Sequence, residues 1–159
     1  LCTMGYYEDA LIRMEKRFGE MVAAPYSTLW EGWEYTGGKG MKYKSGNGTY
    51  NHAWSGGGLT ILSQFIAGIE PIEPQFKLFK VCPNLATLNR VKSVVPTVFG
   101  NIVMMAQKVD NALNITLTVP QGTVAKVVVP QGYSSLSCDG KNNTELTLNA
   151  GEYCITATK

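Results

Sequence analysis

The chain has 159 residues, of which 45% are hydrophobic and 16% are charged, and its formal net charge is +2. A charged fraction below the roughly 25% of an average domain argues against disorder, and the near-neutral balance argues against nucleic-acid binding. No apolar stretch reaches the roughly 20 residues of a membrane-spanning helix. We therefore expect a folded protein with neither a nucleic acid nor a membrane as its partner.

The first predicted element is a helix over residues 7–22. Acidic residues fall in its first turn, and apolar residues recur along it at helical spacing. These apolar residues are Tyr7, Leu11, Met14, Phe18 and Val22. The residues before the helix lack the pattern of a signal peptide, and those before Gly5 resemble the end of an earlier helix. We interpret the chain as a piece cut from a longer protein, which leaves its compartment open.

A glycine-rich loop follows, and then a second helix. Pro25 is expected to end the first helix, and residues 26–55 are predicted to form an irregular segment. Residues 57–67 are apolar almost all round, which predicts a helix buried inside a larger body.

From Glu70 onward the apolar period changes to two, which is typical of strands with one buried face. Two prolines at positions 71 and 74 mark the boundary, so the predicted domains are residues 1–70 and 71–159. About seven short strands suggest an antiparallel β-sandwich. The predicted strands are 76–81, 90–96, 101–109, 113–119, 123–129, 146–148 and 153–157.

The four cysteines do not form a metal-binding pattern. Cys2, Cys82, Cys138 and Cys154 include no C-x-x-C pair, and the chain has a single histidine. A zinc site needs such ligands at close spacing, so we expect no metal and no other cofactor. Free thiols are the favoured interpretation, and a bridge between Cys138 and Cys154 is the alternative.

The residues suited to chemistry concentrate in the glycine-rich loop. It carries all three tryptophans, four tyrosines, two glutamates, Asn51 and the only histidine. Flat rings can cover the C–H faces of a sugar, while carboxylate, amide and imidazole groups bind its hydroxyls. The alternative is that these rings only pack the loop onto a core.

Glu31 is the favoured catalytic residue of this loop. It lies between Trp30 and Trp33, and rings around a carboxylate lower the local dielectric, which favours its use as an acid or base. A plain surface glutamate is the alternative interpretation, and Glu34 is the competing carboxylate.

Six segments of the sequence resemble the bacterial α-L-rhamnosidases of glycoside hydrolase family 78. Two of them, with their W-E-x-W and N-H-A-W patterns, are similar to the end of the catalytic domain of that family. The other four are similar to its passage into the C-terminal domain and to the strands that follow. The six segments are residues 27–33, 50–56, 69–76, 82–83, 95–100 and 118–123.

This resemblance implies an α+β fragment: the last helices of an (α/α)6 barrel followed by an antiparallel β-sandwich. It implies hydrolysis of terminal α-L-rhamnosyl bonds with inversion, and Glu31 matches the general base. The residues that match the sugar pocket are Trp30, Trp33, Asn51, His52 and Trp54. The general acid of the family lies earlier in the barrel, so the implied partners are a rhamnosylated carbohydrate and the remainder of the barrel. The chain alone is expected to be inactive.

Two alternatives stay open. One is another glycosidase on a related (α/α)6 barrel, with a different sugar. The other is a non-catalytic sandwich that supports the barrel or binds carbohydrate. The sandwich half has no tryptophan and, beyond Tyr133, few aromatics that look exposed, which favours support.

Overall fold

The computed structural model describes residues 1–25, 28–31 and 49–159. These residues form two compact units, Leu1–Ile61 and Leu62–Lys159. No helix within the described ranges is long and apolar enough to cross a membrane.

The first unit is mainly helical. A short 3-10 helix, Cys2–Met4, ends at Gly5, whose φ of 86° lies in the left-handed region that favours glycine. Helix α1 then spans Tyr7–Ala23, which confirms the predicted helix. Another 3-10 turn, Ala53–Gly56, leads directly into α2, Gly57–Thr60.

The buried face of α1 differs from the predicted stripe at one end. Val22 is 83% exposed, whereas Met21 and Ala10 are buried. At 3.6 residues per turn, Ala10 and Met21 lie about 60° and 40° from Tyr7 on one side of α1, whereas Val22 lies about 60° from it on the other side. The prediction for Val22 was wrong, because the face covered within this unit is centred on the side of Ala10 and Met21.

The second predicted helix is present but is neither uniformly α-helical nor uniformly buried. After α2 the chain continues as a π-helix, Ile61–Ile66. Ile66 is fully buried in the second unit, whereas Leu59 in the first unit is 65% exposed. An apolar composition thus predicted the helix but not which of its faces would be covered.

The second unit is a β-sandwich of ten strands within the described residues. One sheet has the strand order β1-β2-β6-β9 and the other has the order β3-β4-β5-β10-β7-β8. The strands are β1 (Ile69–Pro71), β2 (Leu78–Val81), β3 (Arg90–Thr97), β4 (Gly100–Val109), β5 (Ala112–Val119), β6 (Val124–Val128), β7 (Ser135–Cys138), β8 (Lys141–Asn143), β9 (Glu145–Leu148) and β10 (Gly151–Thr158). A single 3-10 turn, Pro74–Phe76, separates β1 from β2.

One hydrophobic core lies between the two sheets. Phe79 and Val127 reach it from one sheet, and Ile102, Leu117 and Ile155 reach it from the other. Alternate residues of β5 are buried, as the period of two predicts.

The sandwich departs from the predicted one in two ways. Strands β2 and β6 pair in parallel, so the four-stranded sheet is mixed rather than antiparallel. Three of the strands, β1, β7 and β8, were not predicted. Strand β1 contains Pro71 and lies at a sheet edge, where the missing N–H is tolerated. Strand β8, with the sequence Lys-Asn-Asn, is wholly exposed and so has no apolar alternation to detect.

All four cysteines are free thiols, as favoured from the sequence. Burial raises the pKa of the Cys2 and Cys82 thiols, so both favour the protonated form. Cys154 is exposed on β10.

Candidate functional site

The site is built on two short segments, residues 28–31 and 49–52, that run antiparallel. The N–H of Glu31 donates to the carbonyl of Thr49 at 3.0 Å, and the N–H of His52 donates to the carbonyl of Leu29 at 2.7 Å. Extended backbones that exchange such bonds hold their facing residues a few ångströms apart. Two residues 21 positions apart in the sequence, Glu31 and His52, are thereby brought together.

Trp30 packs the first of these segments against helix α1. Its side chain is only 6% exposed and packs against Met21 of α1. Its ring meets the ring of Tyr50 edge to face, with 5.2 Å between the centroids. Trp30 is thus buried, whereas the side chain of the next residue, Glu31, is 25% exposed.

The Glu31 carboxylate is held through one of its oxygens. Oε2 accepts hydrogen bonds from the N–H of Thr49 at 2.9 Å and from its hydroxyl at 3.3 Å. The same oxygen lies 3.7 Å from Nδ1 of His52. The side chain is 25% exposed, so the carboxylate is oriented and still accessible.

His52 and Trp54 form one wall beside this carboxylate. Their ring centroids are 4.4 Å apart, at an angle of 43°. The indole N–H of Trp54 donates to the carbonyl of Glu31 at 2.9 Å, while the residue as a whole is 69% exposed. Trp54 is thus fixed at its polar edge and offers an apolar face, an arrangement suited to the C–H face of a sugar.

The predicted site residues fall into three groups. Glu31, His52 and Trp54 meet in one place, and Trp30 lies beneath them. Asn51 is exposed, and its backbone carbonyl lies 3.5 Å from the hydroxyl of Thr49. Trp33 and the competing carboxylate Glu34 lie outside the described residues.

Thr49 is the residue that the sequence interpretation missed. It contacts both Glu31 and His52, yet a lone threonine beside a glycine-rich stretch carries no recognisable pattern. The sequence feature that could have identified Thr49 is its position three residues before the only histidine.

A metal site is not formed by the described part of the chain. Within residues 1–25, 28–31 and 49–159, no three His, Cys, Asp or Glu side chains are grouped so that they could hold an ion.

The second unit has a cleft of about 220 Å³ that is lined in part by Tyr133. The side-chain amide of Asn84 donates to Gln131 across it at 3.4 Å and accepts from the N–H of Ala86 at 3.1 Å. Lys108 donates to the carbonyl of Ala86. The polar groups of this cleft therefore tie the neighbouring loops together.

Comparison with known families and proteins shows what the sandwich is similar to. Residues 68–144 match the family described as bacterial alpha-L-rhamnosidase C-terminal domain. An alpha-L-rhamnosidase of Alteromonas sp. (strain LOR) is 27% identical over 136 residues, and one of Formosa agariphila is 26% identical over 121. These stretches cover 80% and 74% of this chain but only 14% and 13% of those proteins.

Solved structures show the same fold. An alpha-L-rhamnosidase from Dictyoglumus thermophilum matches 89% of this chain with a TM-score of 0.70 and 22% identity, over 17% of its own length. The Streptomyces avermitilis alpha-L-rhamnosidase complexed with L-rhamnose matches 82% with a TM-score of 0.67 and 20% identity, over 14% of its length. Sequence and fold thus agree on one group of proteins.

Proposed function

We propose that the chain is the C-terminal part of a bacterial α-L-rhamnosidase, because it matches that part of such enzymes in sequence and in fold. In this proposal it contributes the general base and part of the sugar pocket to an enzyme that removes terminal α-L-rhamnose with inversion. We assign residues 1–70 to the catalytic helical barrel and residues 71–159 to the C-terminal β-sandwich domain, with strand β1, Ile69–Pro71, crossing this boundary into the sandwich sheet. The observation that carries the proposal is the Glu31 carboxylate, oriented by Thr49 beside His52 and Trp54.

The arrangement suits activation of a water molecule. In an inverting hydrolysis, one carboxylate removes a proton from water while the water oxygen attacks the anomeric carbon. A separate carboxylic acid gives a proton to the departing glycosidic oxygen, and the two groups lie about 6.5–9.5 Å apart. Thr49 already occupies Oε2 of Glu31, so we assign the attacking water to Oε1.

The neighbouring side chains suit the sugar itself. The exposed face of Trp54 covers C–H groups, and the imidazole of His52 and the amide of Asn51 bind hydroxyls. The buried ring of Trp30 supports these side chains from beneath. Trp33 is assigned to the aromatic wall of the pocket by the resemblance alone. The substrate is thus a rhamnosylated carbohydrate or glycoside.

The general acid is assigned to the remainder of the barrel, outside these 159 residues. Loss of a proton donor alone removes about 10²–10⁴-fold in rate, and most of the pocket would be missing as well. We therefore expect no activity from the isolated chain.

Hydrolysis of 4-nitrophenyl α-L-rhamnoside by the full-length protein that contains this chain tests the proposal. Nitrophenolate leaves without protonation, so this substrate isolates the contribution of the base. Glu31→Gln should lower kcat by about 10²–10⁴-fold, because it removes the proton acceptor and keeps the shape. Glu15→Gln, at an exposed position of α1, is the matched control and should leave kcat unchanged.

The first sugar product gives a second readout. Inversion predicts that NMR spectra recorded early in the reaction show β-L-rhamnose. A fully active Glu31→Gln protein would show that another residue is the general base, and Glu34 would then be the first residue to test. A protein that is inactive on rhamnosides and active on another glycoside would keep the barrel and change the sugar.

The hydrogen bonds of Asn84 to Gln131 and Ala86 in the Tyr133 cleft favour a supporting role for the sandwich over sugar binding, because they hold the neighbouring loops together. A sandwich that only supports the barrel predicts that Tyr133→Ala leaves KM unchanged.

A further inference from the structure

The Thr49 hydroxyl stands between the carboxylate and the imidazole of the candidate site. Its oxygen lies 3.3 Å from Oε2 of Glu31 and 3.2 Å from Nδ1 of His52. A hydroxyl has one hydrogen to donate and can also accept. The hydrogen can go to the carboxylate, to the imidazole or to the carbonyl of Asn51, whose oxygen lies 3.5 Å from the hydroxyl. If it goes to the carboxylate, the hydroxyl oxygen is left to accept from Nδ1 of His52.

The charges of the two neighbours decide the direction. A carboxylate is the stronger acceptor, since hydrogen bonds to ionised groups are the stronger ones. Nδ1 of His52 is also 3.7 Å from Oε2. A lone pair on Nδ1 would face negative charge there, whereas an N–H would be attracted to it. Both distances favour the order His52 Nδ1–H to Thr49 hydroxyl to Glu31 Oε2.

We propose that Thr49 is a positioning residue that orients the Glu31 carboxylate and fixes the tautomer of His52. With the proton on Nδ1, the neutral ring leaves Nε2 as an acceptor for a sugar hydroxyl. The backbone N–H of Thr49 supports the same oxygen at 2.9 Å, so the residue holds Glu31 through two donors. This inference rests on the proposed role of Glu31 as the base.

Substitutions in the full-length protein test the hydroxyl alone. Thr49→Val keeps the volume and the backbone N–H and removes the hydroxyl; it should lower kcat for 4-nitrophenyl α-L-rhamnoside by about 10-fold or more, the effect of one hydrogen bond to a charged group. Thr49→Ser should restore most of the activity. Thr3→Val is the matched control, because Thr3 is an exposed threonine outside the two segments that build the site, and it should leave kcat unchanged.

A double-mutant comparison separates positioning from mere support. If Thr49 acts through Glu31, Thr49→Val should have little further effect in the Glu31→Gln protein. The same fold-loss in both backgrounds would show a purely structural role and overturn the inference. So would a Thr49→Val protein with wild-type kcat, or a Thr49→Ser protein as slow as Thr49→Val.

Two further controls keep the test decisive. Thr49→Ala replaces Thr49→Val if the latter loses the native melting temperature. A fully active Glu31→Gln protein would defeat the proposed base itself. That result is distinguishable from a failure of Thr49 alone, in which Glu31→Gln is inactive and Thr49→Val is not.

Discussion

At the scale of single residues, the sandwich contains a position where only glycine fits. Gly68 has a φ of 70°, and a Cβ added there would lie 2.0 Å from the carbonyl oxygen of Cys82. The two backbones approach because the N–H of Cys82 donates to the carbonyl of Gly68 at 2.9 Å. A side chain would therefore force apart a hydrogen-bonded contact as well as adopt a disfavoured backbone conformation.

Gly68→Ala should destabilise the sandwich by about 3 kcal/mol or more, because it combines a steric overlap with backbone strain. Gly19→Ala is the contrasting substitution. A Cβ at position 19 meets nothing within 4 Å, and alanine is the better helix former by about 0.5–1 kcal/mol.

Urea unfolding followed by two signals separates the effect of Gly68→Ala on the second unit from the effect of Gly19→Ala on the first. All three tryptophans precede residue 62, so their fluorescence follows the first unit, while far-UV circular dichroism also follows the strands. An unchanged dichroism midpoint for Gly68→Ala would contradict the steric argument.

At the scale of elements, strand β5 shows how periodicity sets which side chains are buried. Ile115 and Leu117 lie in the core, whereas Thr116 between them is exposed. Because successive residues of a strand point to opposite faces, a shift of one position exchanges the two sets.

Ile115→Ala should cost about 2–5 kcal/mol in the free energy of unfolding, from lost burial and the cavity that remains. Thr116→Ala, one position along the same strand, should cost less than about 1 kcal/mol. Equal losses at both positions, measured by urea unfolding, would be inconsistent with the assigned register.

At the scale of the whole molecule, the first unit exposes large apolar side chains. Val22 is 83% exposed, Trp54 69% and Leu59 65%. Exposed apolar surface of this kind marks places where another molecule or another part of a protein binds. We assign the remainder of the proposed catalytic barrel to the faces that carry Val22 and Leu59, whereas the exposed face of Trp54 is assigned to the sugar.

The isolated 159-residue chain should therefore self-associate as its concentration rises, and Val22→Ser combined with Leu59→Ser should weaken the association. Val98→Ser, at a 74% exposed position of the second unit, serves as the control and should change little. Sedimentation velocity over a concentration series measures the effect. A chain that stays monomeric throughout would contradict the expectation.

The sequence by itself determined what depends on near neighbours along the chain. The stripe on α1 and the alternation on β5 follow from fixed helical and strand periods. The motifs around Glu31 and His52 were enough to recognise the related enzymes, and the comparisons confirm that recognition.

Only the tertiary structure decided what depends on partners distant in the sequence. It paired β2 with β6 in parallel, buried Trp30 while exposing Trp54, and placed Thr49 against a carboxylate 18 positions away. Each of these outcomes depends on which residues meet across a turn or a sheet. Local periodicity says which face of a segment is apolar, but the segment that covers that face is selected by packing and hydrogen bonding over the whole unit.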